Sequence, residues 1–374
     1  MMMFVCTAIR RHAIPDCFKG IVNRIDHKDQ IFLVVPGCYD LNEFSEDFSC
    51  VEQAQFFKEG KIGSKVKAVQ FALHLRKIVK ENGIGKLFLF AEKEWFNVFL
   101  YFALIGIKKD WFLFVHDPVI HTGESRFIKM VDVLVAKLIG KKAKKLFVTY
   151  HKGKDELLSK NPELSPSDIE VVYLPRMEEM EFDDLRDNSG DDNEEYDGIF
   201  FGRVEVYKGI DILLESIVFI KEKTGIRINL LIVGGNGTQK DLIRKYAVSN
   251  DNIHYVDRYV SSRELATYIS KSRLVILPYR DATGTQTVQI ANYYKKPVIT
   301  STTGCFEEYV KDGINGIRIE DLNCENLAKA IIELLNDKSL VDKMKSEMGS
   351  VLADYFDTGH IASQIMGWIG EGEI

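Results

Sequence analysis

Ile199-Phe200-Phe201-Gly202-Arg203-Val204-Glu205-Val206-Tyr207-Lys208-Gly209 decides the architecture of this chain. Residues 199–201 read as a short strand buried on both faces, as in the middle of a parallel sheet. Gly202 permits a sharp exit. Beyond Gly209, Ile210, Leu213, Leu214 and Ile217 fall on one face of a helix. Strand, turn and helix in that order make one unit of an open α/β sheet, whose ligands gather at the carboxyl ends of the strands. Arg203 and Lys208 stand at that end. A rigid guanidinium fork and a mobile ammonium can together neutralise most of a diphosphate. The alternative reading of the same pair is two solvated loop cations.

Working outward, apolar runs at 227–233, 253–255, 274–277, 297–300 and 316–319 repeat the strand pattern after 198–201. The first half carries its own set at 3–9, 31–35, 86–90, 111–115, 145–149 and 170–174, separated by helical patterns such as 65–82. Such alternation argues two mostly parallel sheets. Between them, residues 178–197 hold eleven acidic side chains and one basic one, a net of −10 in a chain of net −6. With so little to bury, this stretch reads as a solvated linker. The expected organisation is an N-terminal domain over 1–177, the linker over 178–197, a second domain over 198–355, and a final segment over 356–374. In that last segment, Ile361, Ile365, Met366, Trp368 and Ile369 form an apolar helix face that must dock.

At 374 residues the chain suits two ordinary domains rather than one. The six cysteines show no paired metal spacing, and the first residues lack a secretory signal, which points to a reduced cytoplasmic protein without a disulfide framework. The longest apolar run, 95–107, is short of the roughly 20 residues needed to cross a bilayer and reads as a buried helix. The mildly acidic balance gives no sign of a nucleic-acid partner.

Several loops carry chemistry. Leu230-Leu231-Ile232-Val233-Gly234-Gly235-Asn236-Gly237 is a strand entering a glycine-rich turn, which either lets backbone approach a ligand or simply turns. Leu277-Pro278-Tyr279-Arg280-Asp281-Ala282-Thr283-Gly284-Thr285-Gln286-Thr287-Val288-Gln289 ends a strand, crosses a polar loop and starts a helix near Thr285, whose free N–H groups suit an anion; Thr283 and Thr285 are alternatively plain caps. In the first half, His116 and Asp117 follow a strand end, where His116 is either a partner near neutral pH or, with Asp117, a local helix cap. Lys137, Lys141, Lys142, Lys144 and Lys145 beside Val133, Leu134 and Leu138 form a basic amphipathic stretch suited to an anionic lipid surface, or equally a solvated helix face.

Taken in order, Gly202-Arg203 with Lys208-Gly209, Val233-Gly234, Pro278-Tyr279-Arg280, Lys296-Pro297-Val298-Ile299, and Gly304 with Glu308 and Asp312-Gly313 resemble the donor domain of a glycosyltransferase of GT-B fold, group 1 or family 4. The resemblance covers residues 196–350. It implies two Rossmann-like domains facing a cleft, with the C-terminal helix returning to the N-terminal domain. It further implies a retaining transfer of a hexosyl group from a nucleotide-diphosphate sugar, UDP- or GDP-linked, to a hydroxyl of a saccharide or lipid-linked saccharide. On this resemblance the catalytic residues are Arg203 and Lys208, which hold the diphosphate and help it leave, and His116, which contacts the donor sugar as hydrogen-bond partner or proton acceptor. Gly202, Gly234, Gly235, Arg258, Tyr259, Thr285, Gln286, Thr287 and Gln289 line the donor site, and Asp117 and Asp281 touch the sugar. No cofactor and no metal are implied, because side-chain cations do the work of a bridging ion. The expected place of work is the cytoplasm, with peripheral attachment to the inner membrane face through the lysine stretch. The chain departs from the family where two glutamates eight residues apart are usual: Ala282 and Ile290 stand there by distance from Pro297, while Asp281 and Gln289 keep the eight-residue spacing with an offset of one. That departure keeps two alternatives open, a non-catalytic nucleotide-sugar-binding or scaffold subunit and a nucleotide-sugar epimerase.

Overall fold

The structure is a computed structural model that describes residues 1–8, 13–55, 61–90, 95–118, 126–187, 194–235, 237–351 and 356–370. The chain forms two compact units, one of Met1–Pro175 with Tyr355–Ile374 and one of Arg176–Asp354.

The first unit holds a seven-stranded sheet: β1 (Met2–Val5), β2 (Ile31–Pro36), β3 (Cys50–Ala54), β4 (Lys86–Leu89), β5 (Asp110–Val115), β6 (Ala143–Val148) and β7 (Ile169–Val171), in the order β3-β2-β1-β4-β5-β6-β7 and parallel throughout. Successive side chains point to opposite faces, so each strand feeds two cores. Phe4, Phe88, Phe112, Phe114 and Phe147 face the helices Ala13–Arg24 and Thr358–Gly370. Met3, Val5, Leu87, Leu89 and Leu113 face Lys61–Glu81, Phe96–Ala103 and Arg126–Leu138. The final helix docks where its apolar face demands: Ile361, Ile365 and Ile369 are at most 1% exposed within the first core. Burying three such side chains is worth roughly 5–9 kcal/mol before ordering costs, which ties the C-terminal segment to the N-terminal sheet.

β3 is the strand that the sequence pattern misses. It pairs only with β2, and of its five residues only Ala54 is buried. An edge strand bearing Glu52 and Gln53 has no need of an apolar run, so periodicity cannot flag it. β1 ends at Val5, short of the expected strand end at Ile9, which lies outside the described residues.

The second unit repeats the scheme with β8 (Tyr196–Phe201), β9 (Leu230–Val233), β10 (Ile253–Val256), β11 (Ser272–Leu277), β12 (Val298–Ser301) and β13 (Gly316–Ile319), ordered β10-β9-β8-β11-β12-β13 and again parallel. The acidic stretch differs from the solvated linker that its composition suggests. Met180 is 3% exposed, and its carbonyl accepts a 2.6 Å bond from Tyr294 Oη, which in turn accepts from the Phe182 amide at 3.3 Å. Burial pushes the Tyr294 phenol up to about 12. Arg263 lies 5.1 Å over the Phe182 ring, and Glu194 is 3.3 Å from the buried Lys296. A net-charge count misses this because two apolar anchors and one buried ion pair suffice to hold the segment; residues 188–193 lie outside the described residues.

Candidate active site

Because all strands of the second sheet are parallel, every loop leaving a carboxyl end emerges on one edge. Five loops lie there in sheet order: 257–259 after β10, 234–237 after β9, 202–209 after β8, 278–286 after β11 and 302–305 after β12. Each adjacent pair meets backbone to backbone. Gly202 N donates to Val233 O at 3.0 Å, Gly234 N to Val256 O at 3.1 Å, Arg280 N to Tyr207 O at 2.7 Å and Cys305 N to Ala282 O at 3.2 Å. Glycine sits at every seam. A Cβ on Gly209 (φ 66°) would stand 1.9 Å from Pro278 O, and one on Gly304 (φ 54°) would stand 1.5 Å from Ala282 O. Gly235 abuts the Arg258 backbone and Gly234 the Gly202 carbonyl in the same way. The glycine turn after β9 is therefore needed for packing between loops; Asn236 lies outside the described residues.

On this edge the two expected cations take different settings. Arg203 is 69% exposed, with Nη2 3.0 Å from Glu205 Oε1. Glu205 also accepts from Thr238 Oγ1 at 2.8 Å, so it is held as a bracket under the guanidinium. Lys208 is half-buried, its Nζ 3.6 Å from the centroid of the Tyr279 ring and 5.0 Å from that of Tyr207. An ammonium over aromatic faces is attracted by their quadrupoles. Tyr279 is itself fixed: it is 1% exposed, its ring meets Phe306 at 5.2 Å, and its carbonyl accepts from Ser301 Oγ at 2.6 Å. Burial pushes its phenol far above the usual range, against a smaller pull from Thr287.

The β11 loop is clamped from both sides. Arg280 grips Asp211 with two bonds of 2.7 and 2.6 Å and donates to Val206 O at 2.9 Å, which locks the β11 loop onto the β8 loop. Burial works to raise the Asp211 carboxyl, but the Arg280 bonds and charge outweigh it and hold the group below the usual range. On the other side Cys305 Sγ donates to Thr283 O at 2.7 Å. Burial drives the Cys305 thiol far up despite the opposing Lys208 charge, so it is a buried packing group and not a nucleophile.

Of the other expected donor-site residues, those of the second unit lie on the same edge. Thr285 and Thr287 share a 2.7 Å hydroxyl contact, and the helix starts at Thr287 with Gln286 as its cap, two residues later than the sequence suggests. Gln286 and Gln289 are 5% and 1% exposed, and Asp281 is half-buried. Arg258 is engaged with Glu264, with one bond at 2.9 Å and a second between Nη2 and Oε1. Tyr259 is 85% exposed. His116 and Asp117 follow β5 in the first unit, with Nε2 3.5 Å from the carboxylate and both side chains largely buried; residues 119–125 of that loop lie outside the described residues. The lysine stretch is mostly spoken for: Lys141 pairs with Glu163, Lys144 with Asp110 and Lys145 with Glu170, at 2.8, 3.2 and 2.7 Å, and Lys142 lies 4.9 Å over the Tyr101 ring.

Sequence reasoning missed the platform role of Tyr279, the bracket Glu205 and the clamp Arg280–Asp211. The Pro-Tyr-Arg run after β11 was visible, and an aromatic just past a strand end facing a loop lysine is the signal that could have found the first. Nothing in the spacing announces a contact between Asp211 and Arg280, 69 residues apart.

With this geometry in view, residues 181–349 match the family described as Glycosyl transferases group 1. Among curated proteins, an uncharacterized glycosyltransferase of Methanocaldococcus jannaschii is 30% identical over 155 residues, 41% of this chain and 41% of that protein. A GDP-mannose:glycolipid 4-beta-D-mannosyltransferase of Xanthomonas campestris pv. campestris is 28% identical over 103 residues, 27% of this chain and 29% of that one. The chain thus matches less than half the length of these relatives. Over nearly its whole length it is similar in fold to HepE of Anabaena, solved in complex with UDP and glucose: TM-score 0.72, 15% identity, 99% of both chains covered. The fold is GT-B, and most of the second unit, residues 181–349, is similar to the glycosyl transferases group 1 family.

Proposed function

We propose that the chain is a glycosyltransferase that moves a sugar from a nucleotide-diphosphate sugar to a hydroxyl of a saccharide or lipid-linked saccharide, with retention of configuration. The observation that carries this reading is the placement of Arg203 and Lys208 on the five-loop edge, one exposed beside Glu205 and one seated on the Tyr279 ring. In a retaining transfer without a covalent nucleophile, the acceptor attacks on the face that the diphosphate leaves. The demand on the protein is then to stabilise charge growing on the leaving group. Lys208, held in place before the donor arrives, needs little reorganisation to do so, while Arg203 swings from Glu205 to the phosphate. Uridine and guanosine diphosphates are the donor classes favoured, since HepE is solved with UDP and the Xanthomonas relative is named for GDP-mannose. His116 serves as a hydrogen-bond partner or proton acceptor for the donor sugar, Arg258 and Tyr259 flank the base, and Thr285, Gln286 and Thr287 meet the phosphate and sugar side of the donor. Side-chain cations take the place of a metal bridge, so chelator should leave turnover unchanged.

The test is transfer from radiolabelled UDP- and GDP-sugars. Lys208→Ala is expected to lower kcat by about 10²–10³-fold, the usual cost of one positioned donor to a developing anion. A variant that loses only KM would show the lysine to be a ground-state binder, and unaltered kcat/KM would remove it from the mechanism.

A further inference from the structure

We infer that the outer surface of the three-helix layer Lys61–Glu81, Phe96–Ala103 and Arg126–Leu138 docks on an anionic lipid bilayer. The three helices cover one face of the first sheet and contact one another in sequence order. Among the described residues, ten large apolar side chains of the first unit are exposed, and eight of them lie on this layer or directly past its middle helix. Val66, Val69 and Leu73 repeat at helical spacing on the solvent side of the first helix. Phe102 and Ile105, both 55% exposed, crown the end of the second. Met130, Val133 and Leu134 form the matching stripe on the third. Scattered exposed apolar groups need no explanation, but a concentration on one layer does. Arg76 joins the first two helices into one surface, donating from Nη1 to Ile105 O at 2.9 Å and to Ala103 O.

The charge of this layer selects its occupant. Segments 61–81, 96–109 and 126–142 contain thirteen lysines and arginines against two acidic residues, a net of +11 in a chain of net −6. Burial, with the nearby Arg76 and Lys142, holds the Lys109 ammonium below its usual range, so positive charge is crowded at the corner beside Ile105. A second copy of the chain would bring +11 against +11. An anionic membrane offers the complementary surface: aliphatic and aromatic tips enter the acyl boundary while Lys65, Lys77, Lys108 and Lys137, all exposed, meet headgroup phosphates. This surface is broader than the lysine stretch at 137–145, most of which is already paired within the protein.

Co-sedimentation of the full chain with phosphatidylcholine vesicles, with and without phosphatidylglycerol, tests it without requiring turnover, so membrane docking and sugar transfer can fail separately. Binding is expected only to the anionic vesicles and should fall steeply with salt. Lys65→Gln, Lys108→Gln and Lys137→Gln together should weaken it by about 100-fold. Leu73→Ser with Phe102→Ser should weaken it by about tenfold or more, while circular dichroism and nucleotide binding stay unchanged. Equal binding to both vesicles, binding to neither, or serine variants that bind as well as the parent would overturn the inference. So would a dimer in solution that the serine variants dissolve, which would assign the face to a second copy.

Discussion

The two sheets share a plan but differ, among the described residues, in how far glycine is built into their carboxyl edges. Along the second sheet, consecutive loops touch through backbone, with a glycine at each of the four seams from β10 to β12. On the first, described strand ends also meet through backbone, as where Cys6 N donates to Val34 O and Phe90 N to Val5 O, both at 2.9 Å, but among the described residues at that edge Gly37 alone of the glycines meets backbone, at Ala54 O, while the side chains of Tyr150 and Pro118 crowd Gly153. Backbone seams tolerate almost no substitution, since a single Cβ forces the main chain apart. Side-chain seams can be refilled in many ways. A motif written in glycines and a few cations is readable as a sequence pattern, whereas side-chain contacts such as those of Tyr150 and Pro118 leave no such trace.

The sharpest way to break this comparison is Gly304→Ala. With φ at 54° and a clash 1.5 Å from Ala282 O, the loop must move, at an expected cost of about 3–4 kcal/mol in chemical denaturation. A loss below about 1 kcal/mol would show the seam to be soft. Arg280→Ala should cost less, about 1 kcal/mol after solvent screening, by freeing the β11 loop from Asp211. This term has a pH signature. The Asp211 carboxyl is held below its unfolded value, so its contribution is full above about pH 4 and fades as pH falls through the folded value. The parent should therefore lose stability on the acid side that Arg280→Ala does not, and parallel acid limbs for both proteins would remove the clamp. The smallest effect belongs to the first unit: Gly85→Ala, where an added Cβ meets nothing within 4 Å, should change stability by no more than about 0.5 kcal/mol.

These contrasts explain what could be read from residues alone. The strand cores of both sheets are legible because fully buried parallel strands are continuous apolar runs, as in β2 and β9. The return of the final helix to the first unit followed from an apolar face with no other home. β3 was invisible because an edge strand with four partly exposed residues carries no period. The acidic stretch misleads because charge counting ignores position: Met180, Phe182 and Glu194 dock while Asp183, Asp184 and Asp187 stay exposed. At the site, Arg203 and Lys208 were found from a local motif. Tyr279, Glu205 and Asp211 were not, since their roles arise only when β8, β9 and β11 are laid side by side.

Calorimetric titration of the protein with UDP and GDP, in parallel with an Arg203→Ala, Lys208→Ala double variant, tests the central claim most directly. The account predicts selective binding of one diphosphate by the parent, weakened by at least about 100-fold in the variant with its fold intact. Equal affinity in parent and variant, or no binding of either nucleotide, would contradict the assignment of this glycine-seamed edge as the donor site.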